Sequence, residues 1–324
     1  MKKSLWMLGL AVAAMTSCTN EEVMEVAQNR AIGFNAFVNN NTKAITEVTN
    51  LTGFYVFGEF GDAEGTYGTQ VFKNESDKAI HYWQASKYYS FGAYANGDNT
   101  KIDNATFDAA TGTLTFPEYT PNDANDLVAA VKKLQSNADV TANAPVDLTF
   151  GHMLSQVKFT FKTTDADAYT LKITELKIEG AASQATGVYN GTATWSTVQK
   201  NDGYAYADID DVAKAEKNYT ASVDRLVIPQ ANTNALKVTF KATVSGSGME
   251  EKTATFTADL GYAADGAAGT TDNTWTPGYR YNYIATINAD QIDPSLEHQK
   301  IEFTTSVTGW EDADNTDKGE LPKN

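Results

Sequence analysis

Apolar and polar residues alternate along most of this chain with a period of two, which is the spacing of a half-buried β-strand. The first such run ends in three consecutive asparagines and places four apolar residues on one face: Ile32, Phe34, Ala36 and Val38. A later run shows the same alternation at Val157, Phe159 and Phe161. Further runs predict strands over residues 51–60, 70–73, 79–83, 88–95, 105–108, 113–116, 126–130, 146–150, 171–179, 191–196, 225–228, 236–244, 251–259, 279–287 and 300–310.

Helical periodicity is almost absent from the pattern. Only residues 128–134 and 210–217 leave room for a helical turn or two. Thr111-Gly112 and the glycines of Gly246-Ser247-Gly248 predict tight hairpin connections. Strands at intervals of roughly ten residues, joined by such turns, favour sandwiches over α/β units. We therefore predict an all-β protein with two tandem β-sandwich domains, residues 31–148 and 149–310, followed by an acidic tail over residues 311–324.

The composition agrees with a β-rich fold and limits the choice of partners. Tyr, Phe, Thr and Val are frequent, and only 7 prolines occur among 324 residues. A hydrophobic content of 42% excludes global disorder. The formal charge of −16 repels nucleic acid and anionic lipid headgroups, so no nucleic acid is expected as a partner.

The N-terminal residues predict an export signal. Lys2 and Lys3 precede an apolar run over residues 5–15, which is too short to span a hydrocarbon core of about 30 Å. The run ends just before Cys18, the one cysteine of the chain, and a small residue before a cysteine resembles the lipobox of bacterial lipoproteins. We predict that residues 1–17 are a removable signal peptide, that Cys18 carries the lipid, and that residues 18–30 form a tether or propeptide.

The residues after the cysteine bear on where this anchor would lie. The acidic cluster Thr19-Asn20-Glu21-Glu22 resembles the surface-export signal of Bacteroidota lipoproteins. It therefore predicts a lipid anchor at the outer face of the outer membrane. The alternative interpretation of this cluster is the start of a solvated linker.

The sequence contains no pattern typical of a catalytic, metal or cofactor site. Three histidines are far apart and match no zinc-ligand spacing: His81, His152 and His298. Residues 312–317 lack the glycine and glutamate of a calcium loop. A second acidic turn leaves weak calcium binding open: Asp208, Asp210 and Asp211. Neither a phosphate-binding loop nor a serine elbow occurs. We therefore predict that the chain is not an enzyme and uses no metal or cofactor.

Several aromatic residues allow two interpretations. They fit a sandwich core, which is favoured, or a groove that stacks on sugars: Trp83, Tyr88, Tyr89 and Trp275. The second interpretation corresponds to a surface protein that binds glycan.

The order of motifs along the chain resembles the fimbrillin-like proteins of Bacteroidota, which are the subunits of type V pili. The resemblance covers most of the chain. It rests on the lipobox at Cys18, Ile32-Gly33-Phe34-Asn35-Ala36, Phe54-Tyr55-Val56-Phe57, Val71-Phe72 before Tyr82-Trp83, Tyr88-Tyr89-Ser90-Phe91-Gly92-Ala93-Tyr94, Asp126-Leu127-Val128, His152-Met153-Leu154-Ser155-Gln156-Val157, Trp275-Thr276-Pro277-Gly278 and Val307-Thr308-Gly309-Trp310.

The resemblance implies two transthyretin-like β-sandwich domains and a lipoprotein precursor. It also implies that an arginine-specific protease removes the segment before or including the first strand, and that a strand from a neighbouring subunit fills the resulting apolar groove. Arg30 precedes the first strand and is the predicted cleavage site, with a plain linker arginine as the alternative.

Two sets of residues are predicted to form the groove strand or the donated strand. The first set is Ile32, Phe34 and Ala36, and the second is Ile301, Phe303, Val307 and Trp310. The second set could also form the last strand of its own sandwich, which is the favoured interpretation, and the acidic tail with Pro322 is unlike a donor strand. An anchor, accessory or tip subunit is therefore also consistent with the sequence. A further alternative is a stand-alone surface lipoprotein that binds a glycan or host protein.

Overall fold

The computed structural model of the protein describes residues 31–39, 45–47, 51, 53–97, 100–123, 125–164, 169–212, 220–231, 236–246, 248–260 and 273–309. Over these ranges the chain forms twenty β-strands and two 3-10 turns, Val140–Ala142 and Ala289–Gln291. No helix within them is long and apolar enough to cross a membrane. The predicted all-β class is confirmed, and several sheets pack into a sandwich-like fold.

The strands follow one another along the chain with short connections between most of them. They are β1 Phe34–Asn39, β2 Ile45–Glu47, β3 Tyr55–Gly61, β4 Thr69–Ser76, β5 Tyr88–Asn96, β6 Thr106–Asp108, β7 Thr113–Tyr119, β8 Leu127–Gln135, β9 Val146–His152, β10 Ser155–Lys162, β11 Thr170–Glu179, β12 Gln184–Tyr189, β13 Ala193–Lys200, β14 Tyr204–Ala205, β15 Thr220–Val227, β16 Lys237–Gly246, β17 Met249–Asp259, β18 Tyr279–Thr286, β19 Gln299–Lys300 and β20 Thr304–Gly309.

The first half of the chain builds a long sheet that folds over itself. Its strands run in the order β2-β1-β9-β8-β5-β3-β4. β9 meets β8 only at its C-terminal end, where Val128 lies opposite His152. Strands β2, β1 and β9 therefore cover β8, β5, β3 and β4, and the ring of Phe34 in β1 lies 5.3 Å from that of Phe72 in β4. The first core lies between these layers and includes Phe54, Val56, Phe72, Trp83, Tyr89, Phe91, Leu148 and Phe150.

A second sheet covers the opposite face of β5 and β8. Its order is β13-β12-β7-β6, and Gly187 of β12 lies opposite Phe116 of β7. Strand pairing therefore crosses the predicted limit between residues 148 and 149. That limit, and a transthyretin-like sandwich on each side of it, stay predictions. The second core lies beneath this sheet and includes Tyr94, Leu114, Phe116, Leu127, Met153, Leu154 and Tyr189.

The remaining strands form a two-sheet sandwich. One sheet has the order β15-β10-β18-β20 and the other has the order β14-β11-β16-β17-β19. The chain crosses from the second sheet to the first between β19 and β20, so Phe303 enters the space between them. This third core includes Val157, Phe159, Phe161, Ile173, Phe240, Phe256, Trp275, Tyr281 and Tyr283.

Both predicted hairpins are confirmed. β6 pairs with β7 around Gly112, whose φ of +71° lies in the left-handed region that glycine tolerates. β16 pairs with β17, with Gly246 opposite Met249.

Some predicted elements were wrong. Residues 128–134 form the middle of β8 instead of a helical turn, because Val128 and Ala130 face the first core while Ala129 faces the second, and burial on both faces hides the period of two. Residues 79–83 form a single bridge, Tyr82 with Ala31, and no strand. Strands β12 and β14 were not predicted. Residues 210–212 are not helical, and residues 213–217 lie outside the described residues.

Candidate functional site

The first strand fills a groove in the N-terminal part of the molecule. β1 runs parallel to β9, with Phe34 opposite Val146 and Val38 opposite Phe150. The Val146 amide donates to the carbonyl oxygen of Gly33 at 2.8 Å, and the Asn35 side-chain amide donates to Asp147 at 2.8 Å. One edge of β1 is therefore paired along its whole length.

The other edge of β1 is held by two short pieces of chain. β2 pairs with its C-terminal end, where Phe37 lies opposite Glu47. At its N-terminal end, the Ile32 amide donates to the carbonyl oxygen of His81 at 2.8 Å, and Ala31 forms the bridge with Tyr82. β1 is thus paired along its length with β9 on one edge, whereas on the other edge the chain pairs only near its two ends.

The inward side chains of β1 complete the first core. Ile32 and Val38 are buried, and the half-buried Phe34 and Ala36 pack against the same cluster. The ring of Phe34 meets Phe54, Phe72 and Phe91 edge-on, at centroid distances of 6.0, 5.3 and 5.6 Å. Such aromatic pairs add to the stabilisation that comes from burial alone. Without β1 these three rings would lose their cover.

Residues 77–87 form one wall of the groove. The His81 ring lies 4.4 Å from Phe72, and its Nε2 is 2.7 Å from a carboxylate oxygen of Glu75. Trp83 is buried against Tyr89, with ring centroids 4.7 Å apart. Burial raises the pKa of the Tyr89 hydroxyl, which accepts a hydrogen bond from the backbone amide of Gln84 at 2.7 Å. Aromatic contacts of His81 with Phe72 and of Trp83 with Tyr89 therefore hold this wall against the first core.

The second predicted set of residues lies in the third core. β20 pairs with β18, with Val307 opposite Tyr281, and it is the edge strand of its sheet. Ile301, Phe303 and Val307 are partly buried against that core. The ring of Phe303 lies 5.6 Å from Phe159 and 6.1 Å from Tyr283. In the described structure Val307 lies in the last strand of its own sandwich, and Ile301 and Phe303 lie in the connection that leads into that strand.

The two sets of residues share a spacing that the sequence analysis missed. Ile32, Phe34 and Val38 recur at the same intervals as Ile301, Phe303 and Val307. The position between Phe and Val holds a small residue facing the core in the first strand, Ala36, and Thr305 in the second. The sequence contains this four-residue pattern twice. Its significance depends on the structure, which shows that both segments face an apolar core.

Three predicted site residues, Cys18, Arg30 and Trp310, lie outside the described residues, as does the tail at 311–324. The lipid anchor and the cleavage site therefore stay predictions.

The structure does not bring the other candidate residues together. His81 pairs with Glu75, whereas His152 lies 2.8 Å from Asp126 in another part of the fold. Within the described ranges no group of three His, Cys, Asp or Glu side chains is placed to hold a metal ion. In the acidic turn, Asp208 accepts from the Glu175 amide and Asp210 pairs with Lys172.

The aromatic residues favour the core interpretation. Trp83, Tyr89 and Trp275 are buried, and Trp275 is completely inaccessible to solvent. The Trp275 indole donates to the Tyr283 hydroxyl at 3.1 Å inside the third core. These three side chains therefore cannot line a groove that stacks on sugars.

A profile of fimbrillin-like proteins matches residues 18–310. The chain belongs to the fimbrillin-like family. No curated protein matches it in sequence. Similar solved structures include a candidate cell adhesion protein from Bacteroides uniformis, 20% identical, with 87% of this chain and 98% of that chain covered and a TM-score of 0.46. Another is the fimbrial anchor protein Mfa2 from Porphyromonas gingivalis, 12% identical, with 87% and 98% covered and a TM-score of 0.38.

Family membership identifies this fimbrillin-like chain as a fimbrial or adhesin-type subunit, and the predicted family is confirmed. The family is one of fimbrial structural proteins. Strand exchange and the lipid anchor stay predictions.

Proposed function

We propose that this chain is a structural pilus subunit that polymerises by exchanging strands between copies. A segment of one copy, residues 301–307, takes the place of residues 32–38 in another copy. The proposal rests mainly on the shared spacing of Ile, Phe and Val in these two segments, each of which faces an apolar core. The assembled fibre would support adhesion or colonisation.

The order of the shared residues predicts the direction of the donated strand. Ile301 corresponds to Ile32 and Val307 to Val38, so the donor enters in the direction of β1, parallel to β9. An antiparallel donor would reverse the order of the large and small side chains. Because side chains of a strand alternate between faces, the register is also fixed by which residues must point inward.

The environments of the two phenylalanines make Phe303 a fitting occupant of the pocket that Phe34 fills. Phe34 is surrounded by the rings of Phe54, Phe72 and Phe91. Phe303 is surrounded by rings as well, including Phe240 at 6.4 Å. Phe303 is therefore expected to fit among the rings of Phe54, Phe72 and Phe91, since apolar replacements that conserve volume are well tolerated at one core site.

Cleavage after Arg30 would release the N-terminal end of β1. The chain has three arginines, and the other two lie in paired strands: Arg225 in β15 and Arg280 in β18. Arg225 also donates to Asp123 at 3.0 Å. Proteases require an extended, unpaired substrate, which disfavours cleavage at Arg225 and Arg280. β1 would then be a terminal strand that a donor can displace from its free end.

In this proposal the lipid on Cys18 delivers the precursor to the cell surface. It would hold the precursor at the outer face of the outer membrane until cleavage at Arg30 releases the subunit. A copy that escapes cleavage would remain tethered and act as an anchor. The same chain therefore supports either position according to processing.

Disulfide trapping tests the proposed register. Asn35 lies opposite Asp147, and Thr304 corresponds to Asn35 in the proposed alignment. The double variant Thr304→Cys with Asp147→Cys should therefore form disulfide-linked ladders when the full-length protein from cells is cleaved with an arginine-specific protease. Neighbouring strands lie about 4.8 Å apart, which falls within the range of roughly 4.4–6.8 Å between the Cα atoms of a disulfide.

The matched control for the trap is Ser306→Cys with Asp147→Cys. Ser306 corresponds to Phe37, which lies opposite Thr149, so its cysteine would be two residues out of register. Equal linkage in both variants, or linkage in the control alone, would overturn the parallel alignment. A product that remains a monodisperse monomer would overturn strand exchange and favour a stand-alone binding protein.

The N-terminus of the assembled protein tests the cleavage site. Mass spectrometry should find chains beginning at Ala31. Chains beginning at Cys18 would contradict cleavage at Arg30, and so would any other cut between residues 31 and 45.

A further inference from the structure

Two large apolar side chains are exposed beside the groove that β1 fills. Ile80 is 71% exposed and Tyr82 is 46% exposed. Single exposed apolar residues are common on protein surfaces. These two, however, lie on the same outward face of one extended piece of chain, here called the flanking segment (residues 79–83).

The side chains of the flanking segment alternate between inward and outward as in a β-strand, but its backbone lacks the regular hydrogen bonds of one. Its alternate residues turn inward: Ala79 packs on the first core, the His81 ring lies on Phe72, and Trp83 is buried. Its described strand pairing is confined to Ala31 and Ile32, which directly precede β1. The inward side chains therefore fix the segment on the first core. Its outward side chains, Ile80 and Tyr82, are exposed at the N-terminal end of the groove.

The direction of the proposed donor strand determines which part of the donor lies near Ile80 and Tyr82. If residues 301–307 replace residues 32–38, the Ile301 amide takes the place of the Ile32 amide on the His81 carbonyl. Residues before Ile301 then leave the groove past Tyr82, and they connect to the whole folded body of the donor.

We propose that Ile80 and Tyr82 form a contact surface for a second copy of this chain, namely the subunit that donates residues 301–307. This inference rests on the proposed function and adds a contact between folded bodies to the exchanged strand. An aromatic and an aliphatic side chain exposed together are typical of anchors at protein interfaces. The contact would also orient successive subunits, since a strand alone leaves its donor free to rotate.

The test compares assembly rates of full-length variants after arginine-specific cleavage. Ile80→Ser with Tyr82→Ser should slow the growth of SDS-resistant ladders by about tenfold or more, because an interface loses its apolar anchors. Its thermal midpoint as an uncleaved monomer should match the unaltered protein, since both side chains are exposed. The matched control is Val198→Ser, a residue of β13 that is 50% exposed, and it should assemble at the normal rate.

Photo-crosslinking gives an independent readout. A photoreactive phenylalanine analogue at position 80 should crosslink to a second copy in the ladders, whereas the same analogue at position 198 should not. Normal ladder growth in the double serine variant, or equal crosslinking at both positions, would overturn the contact while leaving strand exchange intact. If the unaltered protein forms no ladder, strand exchange itself fails and the contact fails with it.

Discussion

Phe34 and Phe303 are the residues on which the proposed strand exchange depends. Each is a phenylalanine in an aromatic pocket, and each occupies the same place in an Ile-Phe-small-Val series. Phe34 closes the first core of its own chain. Phe303 packs in the third core of its own chain and is proposed to close the first core of another. Substitutions at the two positions should therefore have opposite effects on assembly.

Phe34→Ala is expected to destabilise the uncleaved monomer by about 2 kcal/mol, less than the loss of a fully buried phenylalanine, because a half-buried ring is removed from the first core. It should also speed ladder formation after cleavage, since β1 becomes easier to displace. Urea unfolding and ladder growth measure the two effects. Phe37→Ala is the matched control, because Phe37 lies on the opposite face of β1 and belongs to none of the described cores. Slower ladder growth in Phe34→Ala would contradict the displacement of β1.

At the scale of elements, the hairpin β12-β13 joins the two halves of the chain. β12 pairs with β7, and the Trp195 indole of β13 donates to the carbonyl oxygen of Met153 at 2.7 Å. Trp195 also packs near Tyr119 of β7, with ring centroids 5.7 Å apart. The hairpin therefore covers a core to which both halves contribute.

A chain that ends at residue 148 is expected not to fold cooperatively. It would lack β12 and β13, and it would expose Leu114 and Phe116, which are fully buried in the whole molecule. Burial of apolar area is the main favourable term in folding, so this loss is large. Urea unfolding of the fragment should give a broad transition, whereas the full chain should give coincident transitions by tryptophan fluorescence and circular dichroism. A sharp transition in the fragment would support an independent domain over residues 31–148.

At the scale of the whole molecule, buried tyrosines link stability to alkaline pH. Burial raises the pKa of Tyr94 from its ordinary value of 10.0 to about 12, against the lowering effect of its hydrogen bonds to Ile102 and Asn74. Burial also raises the pKa values of Tyr119, Tyr204, Tyr206 and Tyr283. These residues are distributed over the second and third cores, so the effect concerns the entire fold.

The folded protein is expected to lose stability above about pH 10, where tyrosines of the unfolded chain ionise while the buried ones stay neutral. A raised folded pKa means that the stabilisation is complete below the unfolded pKa and is lost as the pH rises toward the folded pKa. Urea midpoints measured on either side of pH 10, together with phenolate absorbance, check the effect. Tyr94→Phe should weaken the pH dependence, and a midpoint that is flat through this range would contradict it.

Much of the fold could be read from local pattern. The alternation at Ile32, Phe34 and Ala36 placed the first strand and its inward face correctly, and the glycine turns placed two hairpins. The pattern failed where both faces of a strand are buried, as in β8, and where small residues hide the period, as at Gly187 of β12. In each case the local signal was weakened by packing that only distant residues supply.

The sequence by itself determined the family, the all-β class, the positions of most strands and which side chains turn inward. These properties depend on neighbours along the chain, because a strand alternates its side chains whatever lies beside it. Only the tertiary structure decided that β1 runs parallel to β9, that β12 pairs with β7, and that Trp83 and Trp275 are buried. Strand partners form through backbone hydrogen bonds, which are alike at every residue, so the choice between partners is made by the packing of whole sheets.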